Sequence, residues 1–193
     1  MTMTAEQFHK RMWEILELVD TDYFEALSAP APDAEAIAGL EAAVGFPLPA
    51  AFAAFCQRSN GLSVIAREEV WPHAQEFAVG PAWTFWRGLV LLGIDAPELP
   101  DWASISTHQR QLAEAGLPGI LPVLKIVGDG SRIWGVDQEG TVIVIDDLTD
   151  PEPLSGGLTD VYAEQIADLV QRQQDMALRL TERATRKKPR LPG

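Results

Sequence analysis

The segment from Ile37 to Gly61, IAGLEAAVGFPLPAAFAAFCQRSNG, constrains the fold more than any other stretch of the chain. Ile37, Leu40 and Val44 recur at i, i+3, i+7, which is one face of a helix. Asp33 stands where that helix needs a cap. Ala36, three residues on, has no side-chain acceptor, so only half of a capping box is available. Gly45 then supplies a left-handed stop. Phe46-Pro47-Leu48-Pro49 turns the chain, because the residue before a proline is pushed toward extended backbone. Pro49 suits the first turn of a second helix, whose bulky face is Phe52 and Phe55. Asn60-Gly61 is expected to end that helix, since both residues tolerate positive φ.

The rest of the chain alternates helix and strand signals. Thr4 and Gln7 form a capping box, and Phe8, Met12, Ile15 and Val19 repeat with helical spacing, so a helix is expected from Ala5 to Leu27. The proline-containing stretch 28–33 reads as a stiff connector. Leu62 to Ile65 and Phe85 to Leu92 read as strands, and Ser104 to Ala115 as a helix closed by Gly116. Leu121 to Val127, Arg132 to Asp137 and Thr141 to Asp146 predict three antiparallel strands joined at Gly128-Asp129-Gly130 and Gln138-Glu139-Gly140. The third is apolar on both faces, which predicts a central strand covered on both sides. Asp150 to Pro153 reads as a loop. A long helix is expected from Leu158 to Thr185, with the end beyond it frayed.

Across residues 34–175, within a domain expected to span 34–180, this order of elements resembles the SUKH superfamily of fungal cell-wall-synthesis regulators and bacterial toxin-immunity proteins. The resemblance rests on Ile37, Leu40-Glu41, Gly45, Leu48-Pro49, Phe52, Phe55 and Asn60-Gly61, followed by the strand–turn–strand run from Ile126 to Asp147. It implies an α+β fold, a mainly antiparallel sheet with helices packed against it, in a single SUKH-like domain. An N-terminal helix (residues 1–27) and a basic flexible tail (residues 183–193) lie outside that shared core. The segment 66–120, rich in Trp and Pro, does not align with the family.

Charge narrows the functional classes. The 193 residues carry a net charge of −13, and all 28 acids lie at or before Glu182, whereas five of the 15 basic residues fall between Arg183 and Arg190. An anionic body repels nucleic acid. It attracts a basic protein and speeds the encounter, although acidity also serves solubility alone. No stretch reaches the roughly 18 apolar residues of a membrane span, and the N-terminus lacks the apolar core of a signal peptide. A cytoplasmic protein is therefore expected. Cys56, the one cysteine, reads as a small core residue.

Catalytic and cofactor sites are not expected. Gly128-x-Gly130 is followed by a strand rather than a helix, so it is a hairpin turn and not a phosphate loop. His9, His73 and His108 lack metal-ligand spacing, and Ser131 is not in a nucleophile elbow. Acid pairs such as Asp137 with Glu139 sit where solvated acids are ordinary. Four of the six tryptophans, Trp71, Trp83, Trp86 and Trp102, fall between residues 66 and 104. They read either as a satellite core under a long loop or as binding anchors. The resemblance implies that variable loops and the sheet face dock partners, which singles out Glu68, Glu69, Trp71, Glu76, Trp83, Trp86, Asp129, Asp137 and Glu139. The expected function is then a non-catalytic immunity protein that occludes a basic cognate toxin with an acidic surface, a nuclease being one option because a nuclease groove is basic. The alternative is an intracellular scaffold or regulator of the same superfamily.

Overall fold

A computed structural model describes residues 3–71 and 85–186. The fold is α+β, with five α-helices and a seven-stranded sheet among these residues. Every strand pairs antiparallel with the next in sequence, so the sheet is a meander interrupted by helices.

Helix α1 (Ala5–Leu16) opens with the expected box: Gln7 N–H donates to Thr4 Oγ1 at 3.2 Å, and Thr4 N–H to Gln7 Oε1 at 2.9 Å. It ends eleven residues short of the sequence expectation, at Leu16 rather than Leu27. Its last turn holds no base, and Glu14, Glu17, Asp20 and Asp22 crowd a C-terminus whose dipole disfavours anions. Asp20 accepts the N–H of Asp22 at 2.8 Å and turns the chain. Phe24–Ala29 then forms β1, which pairs with β2 (Asn60–Ala66) at one edge of the sheet.

Helices α2 (Ala34–Val44) and α3 (Ala50–Cys56) fall as expected. Asp33 Oδ1 accepts the Ala36 N–H at 2.8 Å, and Gly45 sits at φ 85°. Asn60-Gly61 does something else. Helix α3 stops at Cys56, and the pair begins β2. The register steps from Leu27↔Ser63 to Ala29↔Asn60, leaving an extra residue on β2 where Gly61 takes φ 61°. That is a β-bulge with glycine in the left-handed region.

The remaining elements are β3 (Gly88–Leu91), α4 (Ile105–Glu114), β4 (Leu121–Val127), β5 (Arg132–Val136), β6 (Val142–Asp146), β7 (Thr149–Pro153) and α5 (Leu158–Arg186). The stretch 150–153, expected as a loop, belongs to edge strand β7. Its prolines are tolerated there because an edge strand need not donate on its outer side. β6 is accordingly next to the edge, not central. It is nevertheless packed on both faces. Val142 and Val144 join the main core, while Ile143 and Ile145 pack with Leu112, Leu117 and Ile120. Arg183 lies within α5 rather than in a tail, and residues 187–193 lie outside the described set.

The register puts Phe24, Val64, Ala66, Leu89, Leu91, Leu124, Trp134 and Val142 on one face of the sheet. They share the main core with Phe8, Met12 and Ile15 of α1, Phe52 and Phe55 of α3, and Val161, Ile166 and Leu169 of α5. Each such side chain contributes about 1.5–3 kcal/mol by leaving water. The opposite face carries Glu25, Leu27, Ser63, Val90 and Lys125, and α4 crosses it at β4. Cys56 is buried in the core, and burial pushes its thiol up to about 12. At pH 8 a thiol reagent is therefore expected to leave the native protein unlabelled and to modify one cysteine once denaturant is added. Stoichiometric labelling of the folded protein would contradict the packing.

Candidate partner-binding surface

The sequence-derived candidates separate into three groups. Trp71 is 1% exposed, so it is a core residue and not an anchor offered to a partner. A turn after β2, closed by Trp71 N–H donating to Arg67 O at 2.9 Å, carries it inward. Trp86 is half-buried against the main core, and its carbonyl accepts Arg172 Nε–H at 3.2 Å. Asp129 is 6% exposed and spends its Oδ1 on the N–H and hydroxyl of Ser131, at 2.9 and 2.7 Å. It shapes the β4–β5 turn and serves as counter-charge to Lys125, Arg132 and Arg172, opposing the burial that pulls the Lys125 and Arg172 pKa values down.

Glu68 and Glu69 are exposed beside β2, with Glu68 Oε1 3.9 Å from Arg87 Nη1. Glu139 is exposed at the tip of the β5–β6 hairpin. Asp137 is half-exposed and holds that hairpin by accepting the Thr141 N–H at 2.8 Å. The strand order puts Glu68, Glu69, Trp86 and Asp129 at one end of the sheet and Asp137 with Glu139 at the other, so they do not form one surface. Glu76 and Trp83 lie outside the described residues.

A different group converges on the edge of the sheet. The chain leaves β3 at Gly93, loops through residues 94–103 and returns, with Gly93 N–H donating to Ala103 O and Ile105 N–H to Gly93 O, both at 2.8 Å. Ser104 closes the loop. Its Oγ accepts the Thr107 N–H at 3.3 Å as the α4 cap and donates to Asp95 Oδ1 at 2.5 Å. Inside the loop, a single 3₁₀ turn (Asp101–Ala103) lifts Trp102 to 44% exposure. His108 of α4 fixes this turn from below, with Nε2 3.1 Å from Trp102 O and Nδ1 3.2 Å from Gln111 Oε1. Burial, partly offset by the Trp102 carbonyl, holds His108 below the ordinary histidine pKa.

Asn60 bolts the loop to the sheet. It is fully buried, Nδ2 donating to Ile94 O at 2.8 Å and Pro30 O at 3.0 Å, and Oδ1 accepting Ile94 N–H at 2.9 Å. Gly61 and Gly93 meet without side chains between them. The result is a pocket of about 190 Å³ lined by Leu27, Ser63, Leu99, Pro100 and Trp102, with Glu98 at φ 68° on its rim. Leu27 is 56% exposed beside it. A polar recess lined by Asp95, Asp101, Ser104 and Arg110 adjoins it through Leu99.

The sequence reading missed Leu27, Glu98 and Asp101 and did not separate Trp102 from the buried tryptophans. The available signal was the Asp20-Thr21-Asp22 turn, which argues against a helix reaching Leu27. Among the described residues, no group of three or more His, Cys, Asp or Glu side chains is placed to hold a metal ion. No described helix is long and apolar enough to cross a membrane. Neither a scan of protein-family models nor a search of curated proteins finds a match to this chain.

Proposed function

We propose that this chain is a non-catalytic binding protein of the SUKH type, an immunity protein that acts in the cytoplasm and neutralises a basic toxin by covering it. The observation that carries this reading is the exposed apolar pair Leu27 and Trp102, set beside acidic residues on an anionic body. Anchors of this kind inside a charged rim are what an occluding interface needs. The motif behind the resemblance also behaves as one connected device. Glu41 Oε1 accepts the Leu48 N–H at 2.9 Å across the Gly45 turn, Leu48, Phe52 and Phe55 are buried, and Asn60-Gly61 ties β2 to the loop that bears Trp102. Occlusion requires no chemistry from the chain, and an acidic cover competes directly with a polyanionic substrate for a basic groove.

The test is co-purification of the tagged protein from its native cells at low and then high salt. One basic toxin domain is expected, retained at low salt and loosened at high salt, because the screening length falls from about 10 Å at 0.1 M to about 3 Å at 1 M. Recovery of several signalling or envelope proteins would instead assign the chain to the scaffold class. Retention indifferent to salt would remove the electrostatic part of the mechanism.

A further inference from the structure

We infer that the open edge of β1 and the pocket beside it receive an extended segment of a basic partner by strand addition, one apolar side chain of that segment lodging against Leu27 and Trp102. The inference deepens the binding function above by naming the docking surface and the form of the occupant. It rests on that reading only for the partner's charge.

The backbone makes the first argument. In an antiparallel pair, residues alternate between bonding the neighbour and pointing their N–H and C=O away from it. Arg67 N–H donates to Tyr23 O on the β1 side, and Ala66 N–H donates to Arg87 O on the β3 side. With Glu25 opposite Ile65 and Leu27 opposite Ser63, the alternation turns Glu25 and Leu27 toward β2. Ala26 and Ser28 therefore direct their N–H and C=O outward. Among the described residues, no strand pairs with that side. Exposed edges are commonly blunted by proline, lysine or charge. β1 (FEALSA) has neither proline nor lysine, whereas β7 (TDPEP), at the other edge, has two prolines and two acids.

The side chains make the second argument. An added strand lays alternate side chains onto the face that carries Leu27, next to a pocket large enough for one apolar side chain. Specificity in strand addition comes from such pockets, and affinity from the main chain.

Charge selects the occupant. Glu25 shares the face of Leu27, Glu98 stands on the pocket rim, and Asp95 and Asp101 line the adjoining recess. Arg110 faces the recess, and Arg67, just past β2 and beside the start of β1, donates Nε–H to Thr21 O at 3.1 Å. The acids favour lysine or arginine on either side of the anchoring residue. A second copy of this chain would bring the same acids and another net charge of −13 to the edge.

The experiment uses the full chain and a synthetic peptide that alternates lysine with threonine and carries leucine at its central lysine position. Binding is followed by calorimetry and by amide hydrogen exchange resolved by NMR. The peptide is expected to slow exchange at Ala26 and Ser28, and N-methylation of the peptide amides on its pairing edge is expected to abolish this. Trp102→Ala should weaken binding about tenfold. Ala26→Pro should do the same while leaving the β1–β2 ladder intact, because the lost N–H points outward. Ala26→Lys, which keeps that N–H and adds a cation at the edge, guards against a folding defect in the proline variant. Peptide affinity unchanged in all three variants, or protection elsewhere than β1, overturns the inference. Concentration-dependent protection of Ala26 and Ser28 without peptide also overturns it, in favour of self-pairing. The two readings fail separately. Capture of a toxin equally well by Ala26→Lys and Trp102→Ala sinks the docking surface alone. Peptide docking at β1 without any toxin in the native cells sinks the immunity function alone.

Discussion

Replacing Gly93 by alanine is expected to cost about 3–5 kcal/mol, a large part of the 5–15 kcal/mol that holds an ordinary domain together. A Cβ at this position would stand 2.6 Å from Gly61 N and 2.8 Å from both Gly61 Cα and Asn60 Oδ1. Two of these atoms are backbone, so no rotamer change relieves the clash. The third is already committed to Ile94. Relief requires β2 and the exit of β3 to separate, which breaks the Asn60 bonds and frees the base of the loop that carries Trp102. Gly61 differs in kind. There the added Cβ meets the tip of Leu99, a movable side chain, and the larger cost is the left-handed φ of 61°, about 1–2 kcal/mol. Chemical denaturation should therefore rank Gly93→Ala as more damaging than Gly61→Ala. The reverse order would mean that space between the two strands is not what Gly93 supplies.

Asn60→Ala should be comparably severe, at about 3–5 kcal/mol, because one truncation leaves a buried N–H and two carbonyls short of a partner. Asn60→Asp is the sharper probe. The carboxylate still accepts from Ile94 N–H but faces the carbonyls of Ile94 and Pro30 with an acceptor instead of a donor. Protonation restores a donor, so the folded-state pKa must rise above the unfolded value of about 3.9. The folded state then holds the proton more tightly, and stability must fall as pH rises from that value through the folded pKa. Urea midpoints for Asn60→Asp that drop across this range, with Asn60→Ala shifted by a constant amount relative to the native chain, would verify the bonding pattern. A flat difference for Asn60→Asp would refute it.

Local signals were read correctly where the physics is local. Asp33, Gly45 and Thr4 cap or stop their helices by bonds within a few residues, and the β4–β5–β6 hairpins follow from short glycine turns. Errors arose where a distant partner decides. Phe24–Ala29 holds Glu, Ala and Leu, all good helix formers, and becomes a strand by pairing with a segment more than thirty residues away. Asn60-Gly61 has the composition of a helix stop, but its use is set by contacts with Pro30, Gly93 and Ile94. For the same reason the tryptophans were indistinguishable in sequence. Trp71 is carried into the core and Trp102 out of it by turns whose anchoring lies elsewhere in the chain. Two of the six acids nominated for binding, Asp129 and Asp137, hold hairpins, since an aspartate in a turn finds backbone donors before it finds a partner.

The edge strand β7 has a consequence for assembly. Asp147 and Leu148, at φ 50° and 59°, form a tight reversal that delivers Pro151 and Pro153 to the far border of the sheet, with Glu152 exposed between them and Asp150 exposed before them. That border ends the hydrogen-bonded lattice. Among the described residues the sheet is therefore polar in its growth: an extended guest can enter at β1, and any further strand must add beyond that guest, never at β7.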